Sequence, residues 1–164
     1  MSTYKNFLNK LENSLQISGR RSEDIELIAV SKKKSIPDIQ SVIDEGHLLF
    51  GENQIQEIEK KWPELKKSNS NIELHFIGSI QSRKVDSIHE HCEVIHSLDR
   101  MKIVKLFSEL ESAKSKKRKY FIQINTGNEP QKSGVLLNEA GEFISDCVSN
   151  YNLNIIGLMC LPPI

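Results

Sequence analysis

The amino-acid sequence predicts an α/β protein, a parallel sheet covered by helices, of (β/α)8 TIM-barrel type. Three observations carry this prediction. Short apolar runs alternate with amphipathic stretches from about residue 26 onward, each run followed by a helical pattern or by the chain end, as in a parallel sheet with crossover helices. Polar residues fall just after successive runs, Lys32, Asn53, Gln81, Asp99 and Asn125, and a barrel assembles its site from such strand-end groups. An open dinucleotide-binding sheet needs a glycine-rich turn after its first strand; here that place reads Ser31-Lys32-Lys33-Lys34-Ser35.

Taken in order, Phe7, Leu8, Leu11 and Leu15 share one face of an opening helix that stops near Gly19. The first strand runs from Glu26 to Ser31. It enters a helix announced by Ser35, Pro37 and Asp38, with Ile36, Ile39, Val42 and Ile43 as its buried face and Gly46 as its stop. Leu48-Leu49-Phe50 is the second strand. The helix after it carries Ile55 and Ile58, and Trp62-Pro63 is expected to interrupt it, leaving Lys66 to Asn71 as a polar loop. The third strand is Leu74 to Ile77, ending at Gly78, and the fourth is Val94-Ile95-His96, with a short helix from about Ser82 to His91 between them. A longer helix carries Ile103, Val104, Leu106, Phe107 and Leu110, and Lys114 to Lys119 reads as a basic surface loop. Tyr120 to Asn125 is the fifth strand, the segment around Leu136 to Val148 its helix, and Ile155 to Cys160 the sixth strand.

The 164 residues, 38% of them hydrophobic, suffice for one globular core and not for two. Residues 1–164 are therefore expected to form a single domain. Lysine plus arginine balance aspartate plus glutamate at 22 each, so no overall field favours nucleic acid or an anionic membrane. The three cysteines, Cys92, Cys147 and Cys160, show no metal-binding spacing and read as reduced intracellular thiols. No signal peptide or membrane span is evident, and a soluble cytoplasmic protein is expected.

Among the candidate site residues, Lys32 stands out because an unbroken apolar strand delivers its amine to the edge where parallel sheets bind ligands. Such a lysine is a candidate Schiff-base residue. Lys33 and Lys34 are cationic neighbours that favour a neutral amine; by composition alone the same run reads as a solvated turn. Asn53 is placed either for ligand binding or as the N-cap of the following helix. His75 and His96 lie within strands, where a histidine is usually a satisfied core residue.

Five sets of residues then occur in a characteristic order: Ala29-Val30-Ser31-Lys32; Phe50-Gly51-Glu52-Asn53 with Gln56-Glu57; His75-Phe76-Ile77-Gly78 with Gln81 and Lys84; Asn125 with Lys132-Ser133-Gly134; and Gly157-Leu158-Met159. From about Leu27 onward the chain thus resembles the pyridoxal phosphate homeostasis protein family, single-domain barrels similar to the N-terminal domain of alanine racemase. The resemblance implies a fold-type III barrel that binds pyridoxal 5'-phosphate as a covalent aldimine on Lys32. It implies a cofactor-binding set of Lys32, Val30, Asn53, His75, Lys132 and Met159, with no catalytic residue and no metal ligand. Asn53 would sit close to the cofactor ring, Met159 would pack near it, and Lys132 would stand where related racemases have an arginine. The implied function is intracellular supply and buffering of pyridoxal phosphate with little or no catalysis, its partners being the cofactor and pyridoxal phosphate-dependent apo-enzymes. The alternatives are a fold-type III racemase or decarboxylase, and a cofactor-free Schiff-base aldolase.

The sequence departs from the family at its end. It stops at Leu161-Pro162-Pro163-Ile164, so about six of eight β/α units are expected, without the last strands whose loops hold phosphate in barrels. A fragment of a longer protein is expected in preference to a natural truncation with open sheet edges.

Overall fold

The computed structural model describes residues 2–162; Met1, Pro163 and Ile164, the last two belonging to the expected chain end, lie outside the described residues. Helix α1 (Thr3–Ser18) begins where the Ser2 hydroxyl accepts from the Lys5 amide and ends at Gly19, whose φ of 66° lets its amide turn back onto the last carbonyls. Its expected apolar face is only partly used, since Leu15 is buried whereas Phe7 remains 49% exposed.

The sheet follows. Strand β1 (Ala29–Val30) leads to α2 (Ile36–Asp44), which starts with the capping box of Ser35 and Asp38 that the sequence announced. Strand β2 (Leu49–Glu52) leads to α3 (Ile55–Ser68), β3 (Glu73–Phe76) to a 3-10 turn at Ser82–Lys84 and α4 (Val85–His91), and β4 (Val94–Leu98) to α5 (Met101–Lys114). Strand β5 (Lys119–Asn125) is followed by the two-residue β6 (Val135–Leu136), α6 (Ala140–Ser149) and β7 (Asn154–Cys160). Every pairing is parallel; β1 to β5 are neighbours in sequence order, and β5 pairs with both β6 and β7. Among the described residues β1 pairs only with β2 and β7 only with β5, so the sheet has two open edges.

Three expectations are corrected. Helix α3 runs through Pro63 to Ser68 instead of ending at Trp62-Pro63. Proline removes one donor from the helix, but Trp62 and Leu65, both buried, belong to the core under the sheet and hold that turn in place. Val135–Leu136 is a strand and not the start of a helix, because Val135 pairs with Ile124 along the end of β5. The basic stretch after α5 is not wholly a solvated loop: Arg118 is buried, and its guanidinium donates to the carbonyl of His89 at 2.7 and 2.9 Å and to that of Glu90 at 3.1 Å.

Strand alternation divides the sheet into two faces. Phe50, Leu74, Phe76, Ile95, Tyr120, Ile122 and Ile124 join the helices' Ile58, Trp62, Ile88, Ile103, Val104 and Phe107 in one core. The other face carries His75, His96 and Phe121 in ring contact. It also carries Gly157, where a Cβ would lie 2.8 Å from the Phe121 ring.

Candidate functional site

The chemistry-bearing residues gather at the carboxyl ends of the strands. Strand β1 stops at Val30, which pairs with Gly51, and the next amide, that of Ser31, donates to the Gly51 carbonyl at 3.0 Å. The chain then makes a tight turn in which the Lys34 amide bonds the Ser31 carbonyl at 3.1 Å and Lys33 takes φ +60°. Lys32 is the exposed first residue of that turn. Behind it Glu52, fully buried at the end of β2, accepts from the Ser31 hydroxyl at 2.8 Å and the Trp62 indole at 3.3 Å, and lies 2.5 Å from the Lys61 ammonium.

Asn53, one residue past β2, is half-buried, and its side-chain oxygen is buried without a hydrogen-bond partner among the described residues. It is not the cap of α3, because that position belongs to Gln54. Its backbone is pressed against Gly78, where a Cβ would fall 2.0 Å from the Asn53 carbonyl oxygen, so no side chain fits there. A cleft of about 300 Å³ opens beside Asn53, lined also by Ser79, Gln81 and Lys84. Ser79 also borders a second cleft, of about 230 Å³, with Gln123, Asn125, Lys132 and Leu161.

Lys132 lies 2.6 Å from Glu129, in a loop that Asn125 organises by donating to the carbonyls of Glu129 and Lys132 and accepting from the Glu129 amide. Met159 is half-buried and pairs with Gln123 across β5 and β7. Val30 is 47% exposed at the open edge. A third cavity, about 640 Å³, lies along this edge between α1 and α2, with Tyr4, Phe7, Val30, Lys34 and Val42 among its walls. The partnerless polar atom and the cationic and amide side chains favour the strand-end clefts as the candidate site.

His75 is buried below this rim. Its Nδ1 lies 2.8 Å from Nε2 of His96, whose ring stacks on Phe121 at 4.4 Å. Burial holds both imidazoles below their usual range; His96 is pushed down to about 4, with the charge of His75 as a second cause. The sign of the pH dependence follows. For His96, an unfolded chain takes up its proton near pH 6.5 whereas the folded chain resists until about pH 4, so this contribution to stability is complete above 6.5 and is lost as the pH falls toward 4, and His75 adds to it in the same direction. Urea midpoints should therefore drop across that window, and His96→Gln should flatten the slope; an unchanged slope would mean that the pair is already protonated in the fold.

Sequence reasoning missed the group formed by Glu52, Glu57 and Lys61. The spacing of Glu57 and Lys61 was visible as a helical i,i+4 ion pair, but nothing local connected it to Ser31. The sequence set Asn125 beside Lys132-Ser133-Gly134 but gave no sign that the Asn125 side chain ties that loop to its own backbone.

The family model described as the alanine racemase N-terminal domain matches residues 8–163. The chain is similar to the pyridoxal phosphate homeostasis protein of Vibrio alginolyticus, at 37% identity over 90% of this chain and 64% of that protein. It is similar to the protein of the same name from Escherichia coli strain K12, at 34% identity over 94% of this chain and 66% of that one. The chain thus spans about two thirds of the length of these relatives. Among solved structures, PipY of Synechococcus elongatus without pyridoxal phosphate superposes with a TM-score of 0.81 at 25% identity, over 93% of this chain and 71% of that one. PipY with pyridoxal phosphate bound gives 0.79 at 24% identity, over 93% and 70%. No helix among the described residues is long and apolar enough to cross a membrane.

Proposed function

This chain belongs to the alanine racemase N-terminal domain family, within the group of pyridoxal phosphate homeostasis proteins, and from that membership we propose that it binds pyridoxal phosphate through Lys32 and serves to hold and release the cofactor. The observation that carries this reading is the buried, partnerless oxygen of Asn53. An unpaired buried acceptor is costly, and a donor reaching it through the cleft that Asn53 lines, on the strand beside the turn that presents Lys32, would relieve that cost. A lysine-derived nitrogen or the phenolic hydroxyl of the cofactor is such a donor. The residues present therefore fit the aldehyde side of the cofactor, and Lys84 and Lys132, lining the two clefts, supply cationic side chains for its acidic groups.

When bound, the cofactor supplies an aldehyde that condenses reversibly with a primary amine. The protein's part is positioning. Lys32 offers the amine from the turn after β1 and Asn53 offers an acceptor one strand away, whereas Val30 lines the edge cavity and Met159 borders neither cleft. His75 and His96 bond each other, so they support binding without turnover: two-sided proton transfer needs an acid/base group free to meet the substrate. Delivery to pyridoxal phosphate-dependent apo-enzymes is the corresponding role toward partners.

The test is reduction with borohydride in the presence of pyridoxal phosphate, followed by peptide mapping. The expected product is a single pyridoxyl group on Lys32. A label confined to other lysines overturns the assignment, and trapping of a carbonyl substrate without the cofactor would favour an aldolase.

A further inference from the structure

Three consecutive lysines leave β1, and only one can be the residue that enters the site. We propose that Glu57 and Lys61 of α3 are positioning residues that lock the turn at Lys32 and thereby select it over Lys33 and Lys34. This inference rests on the reading of Lys32 given above.

The argument starts from the backbone. Lys33 sits at φ +60°, a left-handed conformation that disfavours a non-glycine residue, so neighbouring contacts must hold it there. They grip Lys32 on both sides. The peptide carbonyl before it, that of Ser31, accepts from the Lys61 ammonium at 3.0 Å as well as from the Lys34 amide at 3.1 Å. The amide after it, that of Lys33, donates to Glu57 Oε2 at 2.7 Å. Glu57 Oε2 in turn lies 2.8 Å from Lys61 Nζ. The clamp is thus one connected unit: carbonyl, ammonium, carboxylate, amide.

It is also anchored. Lys61 is 7% exposed in its side chain and lies 2.5 Å from Glu52, which is fully buried. Burial works against the charge on Lys61, and hydrogen bonds to Glu52 and Glu57 outweigh it and leave its pKa above the ordinary value. The Lys61 bond and the amide of Lys33 likewise hold Glu57 below the usual carboxylate range, so at neutral pH the unit is fully charged. Charge-assisted bonds of this kind are the strong ones, and they rise from a helix packed by Trp62 and Ile58 into the core. The turn is therefore fixed relative to the sheet, and successive lysines on a fixed backbone cannot exchange places.

Two measurements on the 164-residue chain decide this. In the first, pyridoxal phosphate and borohydride are applied to the unaltered protein, Glu57→Ala and Glu57→Gln, and the label is mapped over residues 32–34. Since a displacement near 1 Å can cost about a hundredfold in reaction, Lys32 should carry at least about ten times the label of Lys33 or Lys34 in the unaltered protein. In Glu57→Ala the preference should fall below about threefold, and Glu57→Gln, which keeps an acceptor for the Lys33 amide, should restore most of it. The comparison is made under conditions where circular dichroism shows Glu57→Ala folded, since an unfolded chain would label the three lysines alike; an undiminished preference in folded Glu57→Ala overturns the proposal. In the second, amide hydrogen exchange needs neither cofactor nor variant: the Lys33 amide should exchange at least about tenfold more slowly than an open turn amide. Free exchange overturns the clamp even if Glu57→Ala fails to fold. An unlabelled but protected protein overturns the cofactor reading and the selection built on it, while leaving the locked turn standing.

Discussion

Lys32→Ala is expected to abolish covalent retention of pyridoxal phosphate while leaving the thermal unfolding transition within about 2 °C of the parent. The two halves have separate causes. Covalent retention requires a primary amine at one place, and alanine has none, so the loss should be complete rather than graded. Stability should barely change because Lys32 is an exposed turn residue, and substitutions at such places usually stay within about 0.5 kcal/mol. The turn itself is held by the Ser31 carbonyl and the Lys33 amide, and Lys32→Ala removes neither. Absorbance of the bound cofactor and a melting curve on the same sample check both halves. Retained absorbance with borohydride label on Lys33 or Lys34 would show that the amine is supplied by a neighbour; a large fall in melting temperature would show that Lys32 carries structure.

Much of this arrangement was legible in the sequence, for physical reasons that differ between residues. The strand order was readable because short apolar runs alternating with amphipathic helices leave few topologies, and every pair is indeed parallel. Ser35 and Asp38 announced the start of α2 because a capping box is local chemistry. Pro63 misled, since its local preference opposes a helix that the burial of Trp62 and Leu65 maintains; tertiary packing overrode propensity. The place of Lys32 followed from its position after an apolar run. What holds Lys32 did not, because Ser31, Glu52, Glu57 and Lys61 meet only when β1, β2 and α3 are assembled. His75 and His96 each read in the sequence as strand histidines of the kind usually found in a core, with His75 also an implied cofactor contact, but the bond between the two rings depends on the register of β3 against β4. Long-range polar partners carry no periodicity, so they are the part of the site that a single sequence conceals.

Lys61→Met is expected to cost about 3–5 kcal/mol of unfolding free energy, the penalty for removing one partner of a buried ion pair. The reason lies in what is left behind. Glu52 is fully buried, with one carboxylate oxygen shared among Lys61, Ser31 and Trp62 and the other without a hydrogen-bond partner among the described residues. Without the ammonium its charge is opposed only by a hydroxyl and an indole. Methionine fills much of the volume of the lysine stem, so the loss should come from electrostatics rather than from a cavity. Adding Glu52→Gln should recover a large part of it, because the neutral amide still offers an oxygen to Ser31 and Trp62 but carries no charge into the core. Urea unfolding of the parent, the two single variants and the double variant at pH 7 forms a cycle whose coupling isolates the pair. A cost below about 1 kcal/mol for Lys61→Met, or no recovery in the double variant, would mean that water reaches Glu52 and that the charge behind the Lys32 turn is not held dry. With a stability of about 5–15 kcal/mol for an ordinary domain, a loss of the expected size would leave Lys61→Met folded only marginally, and the turn that presents Lys32 would be expected to loosen before the rest of the sheet.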